Sequence, residues 1–364
     1  MKFKVQKTKF LEALKCVQNI VGGKGNLEII QNVLIETEEN GLKLVTTDLY
    51  ISMMSRCECT VDERGATTIP VKYLFSAVSK LVEGEVEIYV DSNEKATITA
   101  ANTKFRLQGM PASEFPKLPD AKESYVYRLS QQTMKEMLRK VSYASSQDDT
   151  RRALKGVLMS FKNSKLTMVA TDGRRLALYE EEVEFPKDSE KDIVLPSKAV
   201  VELQRSLTGE GEIEISVDST QVCFTLSSVK IYSKLIEETY PNYLQVVPKD
   251  TREHIEIDRQ LLLDALERTS VMTIDENHAT KLTFSSGKLT VSSTATDIGE
   301  AKDEVAIKYA GENIEVMFNP NYMMEPLKAI DEDEVTINMR DEHSPAIIKC
   351  DKPFIYVLMP LRTA

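Results

Sequence analysis

"KLTMVATDGRRLAL", residues 165–178, runs a strand-like alternation into an abrupt Asp-Gly turn followed by two arginines. Whether this is a reactive site or a hairpin bend is decided elsewhere in the chain. The Thr-Asp pair recurs in "KLVTTDLYISM" (43–53) and "KLTVSSTATDIGEA" (288–301), placing Asp48, Asp172 and Asp297 at a period of about 125 residues. A proline ahead of an amphipathic run repeats at the same period: Pro70 in "TTIPVKYLFSAVSKL", Pro196 in "IVLPSKAVVELQRSL" and Pro320 in "VMFNPNYMMEPLKAI". Two independent anchors with one period predict three tandem copies of one unit. Breaker clusters at 111–124 ("PASEFPKLPDAKES") and 240–250 ("YPNYLQVVPKD") separate them. The predicted domains are 1–122, 123–249 and 250–364.

Each copy reads as an opening amphipathic helix, alternating strands, a second helix begun by the proline, and further strands. In the first helix Phe10, Leu14, Val17 and Val21 form one apolar stripe. Two helices against many antiparallel strands make an α+β unit with its helices on one sheet face. An Asp before a turn accepts hydrogen bonds from the backbone just ahead of it, and Gly supplies positive φ. The shared Asp is therefore scaffold, and Gly173-Arg174-Arg175 is what the middle copy adds.

Composition narrows the function classes. Of 364 residues, 42% are hydrophobic and 28% charged, as in a globular protein. No apolar run approaches the roughly 20 residues of a membrane span. The opening "MKFKVQKTKF" has no apolar core of a secretory signal, so a cytoplasmic protein is expected. Cys16, Cys57, Cys59, Cys223 and Cys350 match no zinc spacing and are expected as reduced, packed thiols. Three scattered histidines give no catalytic or metal-ligating set, and no carboxylates converge. Neither a catalytic residue nor a cofactor or metal is predicted. The glycine loop around Lys24 lacks P-loop spacing, and "DEDE" (331–334) reads as a solvated turn.

Charge is segregated. The chain carries −11, yet six predicted helical segments (9–21, 70–83, 130–146, 196–207, 258–272 and 320–330) hold twelve Lys and Arg against eight Asp and Glu. Lys135 and Arg139 share a helix face, as do Lys198 and Arg205. Such faces suit weak, salt-sensitive, sequence-blind contact with phosphates. With no stacking platform and no recognition helix, base reading is not expected.

The opening "MKF", "TDL" (47–49), "GATTIP" (65–70), "EFPKL" (114–118), "ATDGRRLA" (170–177), "SKL" (233–235) and "YVLMPLR" (356–362), with the threefold repeat, carry a resemblance. The chain resembles the bacterial DNA polymerase III β subunits, the replicative sliding clamps, over essentially its whole length. The resemblance implies three DNA-clamp domains and a head-to-tail homodimer closed as a ring around double-stranded DNA. It also implies a non-catalytic processivity factor, set in place by a clamp loader and docked by DNA polymerases through linear peptide motifs. The implied peptide pocket comprises Leu154, Thr171, Gly173, Arg174, Arg175, Leu176, Pro241, Val246, Asn319, Tyr322, Val357, Met359, Pro360, Leu361 and Arg362. Its apolar members form a floor, while Arg175 and the turn amides are expected to fix polar groups. Asn277 and Gln245 stand where better-known members carry an aromatic and an arginine. For DNA the resemblance favours Lys24, Lys72, Arg151 and Arg152, beside the helix pairs Lys135, Arg139 and Lys198, Arg205. The implied dimer contact sets Phe105 and Leu107 near Val271 and Met272. A nuclease and a scaffold that never meets DNA are the competing readings.

Overall fold

The computed structural model describes residues 1–21, 27–118, 125–273, 279–295 and 298–361. Its chain forms two compact units, Met1–Met134 with Lys198–Leu235, and Lys135–Ser197 with Ile236–Ala364. All pairings between neighbouring strands are antiparallel. The first unit holds a five-stranded sheet ordered Thr60–Glu63, Lys2–Gln6, Glu85–Val90, Lys95–Ala100, Thr103–Gln108. It also holds an eight-stranded sheet ordered Tyr125–Ser130, Glu212–Val217, Gln221–Thr225, Val229–Lys234, Ile51–Glu58, Gly41–Thr47, Asn32–Thr37, Ala66–Pro70. In the second unit eight strands run Lys191–Pro196, Gly156–Lys162, Lys165–Thr171, Arg175–Glu182, Phe354–Leu358, Ala346–Lys349, Glu334–Met339, Glu253–Asp258. A four-stranded sheet runs Gly299–Ala306, Lys288–Ala295, Thr280–Ser285, Ile314–Phe318.

The two eight-stranded sheets explain why the units cut through the middle copy. Ser55 lies opposite Val229 in one, and Arg175 opposite Leu358 in the other, so each sheet is continuous from one copy to the next. Backbone ladders tie half of the middle copy to each neighbour.

Each of the six predicted helical segments overlaps a helix: α1 Lys7–Val17, which ends short of Val21, α2 Val71–Lys80, α3 Gln131–Val141, α4 Ser197–Ser206, α5 Arg259–Ser270 and α6 Pro320–Ala329. Two expectations are corrected. Each copy begins with a strand, not a helix: Lys2–Gln6, Tyr125–Ser130 and Glu253–Asp258. Each is only five or six residues long and runs straight into a helix, so its period-2 signal is too brief to separate from the helical pattern that follows. Only Pro320 is the first helical residue; Pro70 and Pro196 end strands, with Pro70 as the N-cap of α2. Proline needs no donor at either place.

The core follows the predicted stripe. Phe10, Leu14 and Val17 of α1 are wholly buried, as are Leu74 and Val78 of α2. Phe3 meets Phe10 edge to face at 6.3 Å between centroids. α1 packs on α2, and α5 on α6. Each such side chain contributes about 1.5–3 kcal/mol by leaving water. Asp258 caps α5 by accepting the Leu261 N–H at 2.8 Å. The "DEDE" run departs from a plain solvated turn. Asp331 pairs with Arg139, Glu334 with Lys308 at 2.6 Å, and Glu332 lies 3.9 Å from the buried Lys140. Among the described residues no disulfide links the cysteines.

Candidate functional site

The Asp-Gly turn is a hydrogen-bonded frame. Asp172 Oδ1 accepts the N–H of Arg174 at 2.9 Å and of Arg175 at 3.1 Å. Thr171 Oγ1 donates to the Arg175 carbonyl at 2.5 Å and accepts the Gly173 N–H at 3.1 Å. Gly173 takes φ +86, and a Cβ there would stand 2.9 Å from Arg151 Nη1. Asp48 does the same work in the first copy, accepting from Tyr50 at 2.9 Å and Ile51 at 2.7 Å. Asp297 lies outside the described residues.

Arg175 corrects the expectation that it and the turn amides fix a peptide's polar groups. Its side chain is only 8% exposed, and its donors are committed inside the chain. Nε bonds Asp172 at 3.0 Å, Nη2 donates to the Tyr143 carbonyl at 2.8 Å, and Nη1 pairs with Glu325. The guanidinium lies 4.1 Å from the Tyr322 ring centre. The Tyr322 carbonyl in turn accepts the Tyr356 hydroxyl at 2.7 Å. Burial pushes the Tyr143 hydroxyl well above the usual tyrosine range. Asn319 is occupied too: it caps α6, accepting from Asn321 at 2.9 Å and Tyr322 at 3.4 Å. Sequence spacing alone gives no sign that these polar atoms are consumed.

What remains at the rim is mixed, exposed apolar side chains standing beside the exposed Arg174 and Gln245. Leu176 lies opposite Val357, and both belong to a buried cluster with Leu158, Val169, Leu178 and Val194, against which Tyr240, Tyr243 and Val247 pack. The strand Phe354–Leu358 continues so that the Met359 N–H donates to the Arg174 carbonyl at 2.9 Å and the Leu361 N–H to the Met317 carbonyl at 2.8 Å. Around this frame Leu244 (59% exposed), Val246 (52%), Met359 (44%) and Leu361 (39%) present apolar side chains to solvent. Val246 and Met359 line a cleft of about 500 Å³ with Gln245, Pro248, Arg340 and Ser344. The last three were not anticipated from sequence, because 340–345 meets 245–248 only in the fold. Arg340 is held by Asp341 at 2.8 Å; the Ser344 hydroxyl and Arg340 keep that carboxyl well below the usual range. Leu154 is half-buried, Pro241 exposed and Pro360 half-buried. Arg362 and Asn277 lie outside the described residues.

The expected DNA-facing cations divide into two groups. Lys72, Lys135 and Arg152 are exposed and make no ion pair with a described residue. Arg139 pairs with Asp331, Lys198 with Asp48, Arg205 with Glu202 at 2.7 Å, and Arg151 lies 3.9 Å from Asp148. Lys24 lies outside the described residues. Of the expected dimer residues, Phe105 and Leu107 sit half-buried on Thr103–Gln108, an edge strand of the five-stranded sheet. Val271 is 75% exposed and Met272 half-buried, just past α5. Gly299–Ala306 is an edge strand of the four-stranded sheet. Among the described residues no three His, Cys, Asp or Glu are grouped to hold a metal ion, and no helix is long and apolar enough to cross a membrane.

Family models for the N-terminal, central and C-terminal domains of the DNA polymerase III beta subunit match residues 1–119, 128–242 and 244–362. The chain belongs to the DNA polymerase III beta subunit family. Among its beta-subunit relatives, the beta sliding clamp of Chlamydia pneumoniae is 32% identical over 362 residues, covering all of this chain and 99% of the relative. That of Pseudomonas aeruginosa is 29% identical over 367 residues, covering both chains fully. Among solved beta subunits, the sliding clamp from Bartonella birtlesii bound to griselimycin superposes with TM-score 0.96 at 32% identity, and the one from Bacillus subtilis with 0.96 at 26%; both comparisons cover each chain fully. The beta-subunit fold, three mixed α/β domains with antiparallel sheets, is thus established for this chain.

Proposed function

We propose that this chain is a non-catalytic, cytoplasmic sliding clamp: a head-to-tail homodimer that encloses duplex DNA and tethers DNA polymerases and the clamp loader by linear peptides. The domains are 1–122, 123–249 and 250–364. Family membership supports this reading. The observation that carries the peptide function is the exposed quartet Leu244, Val246, Met359 and Leu361 beside a frame whose polar atoms are already bonded. Such a surface takes apolar anchors of an extended segment, and the flexible thioether of Met359 adapts to more than one of them. Leu154, Thr171, Gly173, Arg174, Leu176, Pro241, Tyr322, Val357, Pro360 and Arg362 complete the proposed pocket, with Arg175 and Asn319 as its internal supports.

Charge supports the dimer. Thr103–Gln108 carries Lys104 and Arg106, whereas Gly299–Ala306 carries Glu300 beside Asp303 and Glu304, which already pair with Arg268, Lys288 and Lys302. Two open edges of opposite sign and unlike position suit a heterologous contact, which closes a ring when its rotation permits. Lys72, Lys135 and Arg152, which make no ion pair among the described residues, are the strongest phosphate contacts on this reading. Lys24, Arg139, Arg151, Lys198 and Arg205 are weaker ones.

Retention on DNA tests the reading. The protein is loaded on nicked circular DNA, which is then linearised. A clamp remains on circles in moderate salt and leaves linear ends. Degradation of the DNA would indicate a nuclease, and no retention on circles a scaffold; either result refutes the proposal.

A further inference from the structure

The frame that supports the first groove is built a second time, within the first unit. Thr47 Oγ1 donates to the Ile51 carbonyl at 3.1 Å and accepts the Leu49 N–H at 3.0 Å, as Thr171 does for Arg175 and Gly173. Leu49 takes φ +74 where Gly173 takes +86. The strand Val229–Lys234 lies beside Ile51–Glu58 with Ser233 opposite Ile51, as Leu358 lies opposite Arg175. The Lys234 N–H then donates to the Tyr50 carbonyl at 2.9 Å, the same distance as Met359 to Arg174. Phe115 is buried under its own cluster of Ile29, Leu34, Val45 and Met54, and Pro116 follows it as Pro241 follows Tyr240.

This second frame borders a cleft of about 210 Å³ whose lining includes Leu49, Tyr50, Pro116, Lys117, Gln221 and Lys234. Its chemistry differs from that of the first. Among the described residues no acidic side chain lines it, although the chain as a whole carries −11. Lys117 and Lys234 are exposed and make no ion pair with a described residue. The nearby Asp48 carboxylate is already paired with Lys198. Tyr50 is 70% exposed, and its ring centre lies 5.2 Å from Lys234 Nζ.

We propose that this cleft is a second peptide-docking site, selective for an extended acidic segment with one apolar anchor. The anchor fills the space between Pro116, Leu49 and the Tyr50 ring, and flanking carboxylates meet Lys117 and Lys234. The strand Val229–Lys234 is paired on both sides, so the segment crosses the strand ends and does not add to a sheet edge. Local positive charge on an acidic molecule favours such a segment over a basic or neutral one. The geometry repeats the first groove, but the proposal does not rest on a peptide binding there.

Fluorescence anisotropy with the full chain tests this, using labelled Glu-Asp-Ile-Tyr-Asp-Glu as the probe. Binding is expected with a dissociation constant on the order of tens of micromolar at low salt, and at least about tenfold weaker for Lys234→Glu or Lys117→Glu. Tyr50→Ala should also weaken it. All three side chains are exposed, and an unchanged melting temperature confirms that each variant folds. Lys-Lys-Ile-Tyr-Lys-Lys, and the acidic peptide with Ser-Gly replacing Ile-Tyr, should bind far less. No saturable binding below about 1 mM, or indifference to all three substitutions, overturns the proposal. Equal competition by hexathymidylate would mark a general polyanion patch and also overturns it. Loss of binding on deleting residues 359–364 instead would place the probe in the first groove, so failure of either site is separately visible.

Discussion

The guanidinium of Arg175 lies 4.1 Å from the Tyr322 ring centre while its Nε holds Asp172 at 3.0 Å. One buried fork thus joins the Asp-Gly turn to α6. Arg175→Met leaves Asp172 and Glu325 without their cation, which costs about 3–5 kcal/mol. For a unit of this size, that lowers the melting temperature by about 6–20 °C. Arg175→Lys keeps the charge but not the planar fork, and its loss should be smaller, nearer 1–3 kcal/mol. Calorimetry showing both variants melting like the parent would remove Arg175 from the frame.

The Met359 amide reaches the Arg174 carbonyl after the last strand has ended. Deleting residues 359–364 therefore removes two of the four exposed apolar side chains and leaves the eight-stranded sheet whole. Binding of a polymerase-derived peptide should weaken by at least about a hundredfold, the value of two buried apolar anchors. The melting temperature should move little. Isothermal titration with undiminished affinity would refute the pocket.

Edge strands of opposite sign make the dimer testable by charge reversal. Lys104→Glu with Arg106→Glu should shift the protein towards monomer in sedimentation at micromolar concentration. Adding Glu300→Lys should restore part of the dimer, since attraction at the contact returns. A stable monomer for the parent chain would argue against the dimer outright.

Burial, helped by the neighbouring Cys59, pushes the Cys57 thiol up from 9.0 to about 12, and burial pushes Cys59 to about 11. Their native state therefore holds protons that the unfolded chain releases. Stability is fully present below about pH 9 and declines as pH rises through 11 to 12. Cys57→Ala should flatten that alkaline decline, measured by denaturant titration across pH. Both half-buried thiols should react with a disulfide reagent at pH 8 far more slowly than in the unfolded chain; equal rates would contradict the raised values.

How much was legible in the sequence differs from residue to residue. The stripe Phe10, Leu14, Val17 and the turn role of Asp48 were legible because helix period and Asp capping are local. The strand Lys2–Gln6 was not, since five residues of alternation among lysines carry too little signal. Arg175 looked available because nothing near it in sequence reveals Tyr143 or Glu325.

By itself the sequence determined the threefold repeat and the six helices, which rest on spacing along one chain, and carried the family resemblance in motifs such as "ATDGRRLA" and "YVLMPLR". Only the tertiary structure decided which cations are spent internally, as Lys198 is on an aspartate 150 residues away. It also decided that sheets run unbroken from copy to copy and that the turn at Asp48 lies against the strand Val229–Lys234 beside a second cleft. Those outcomes depend on pairing between distant segments, where burial and register select partners that local propensity cannot name.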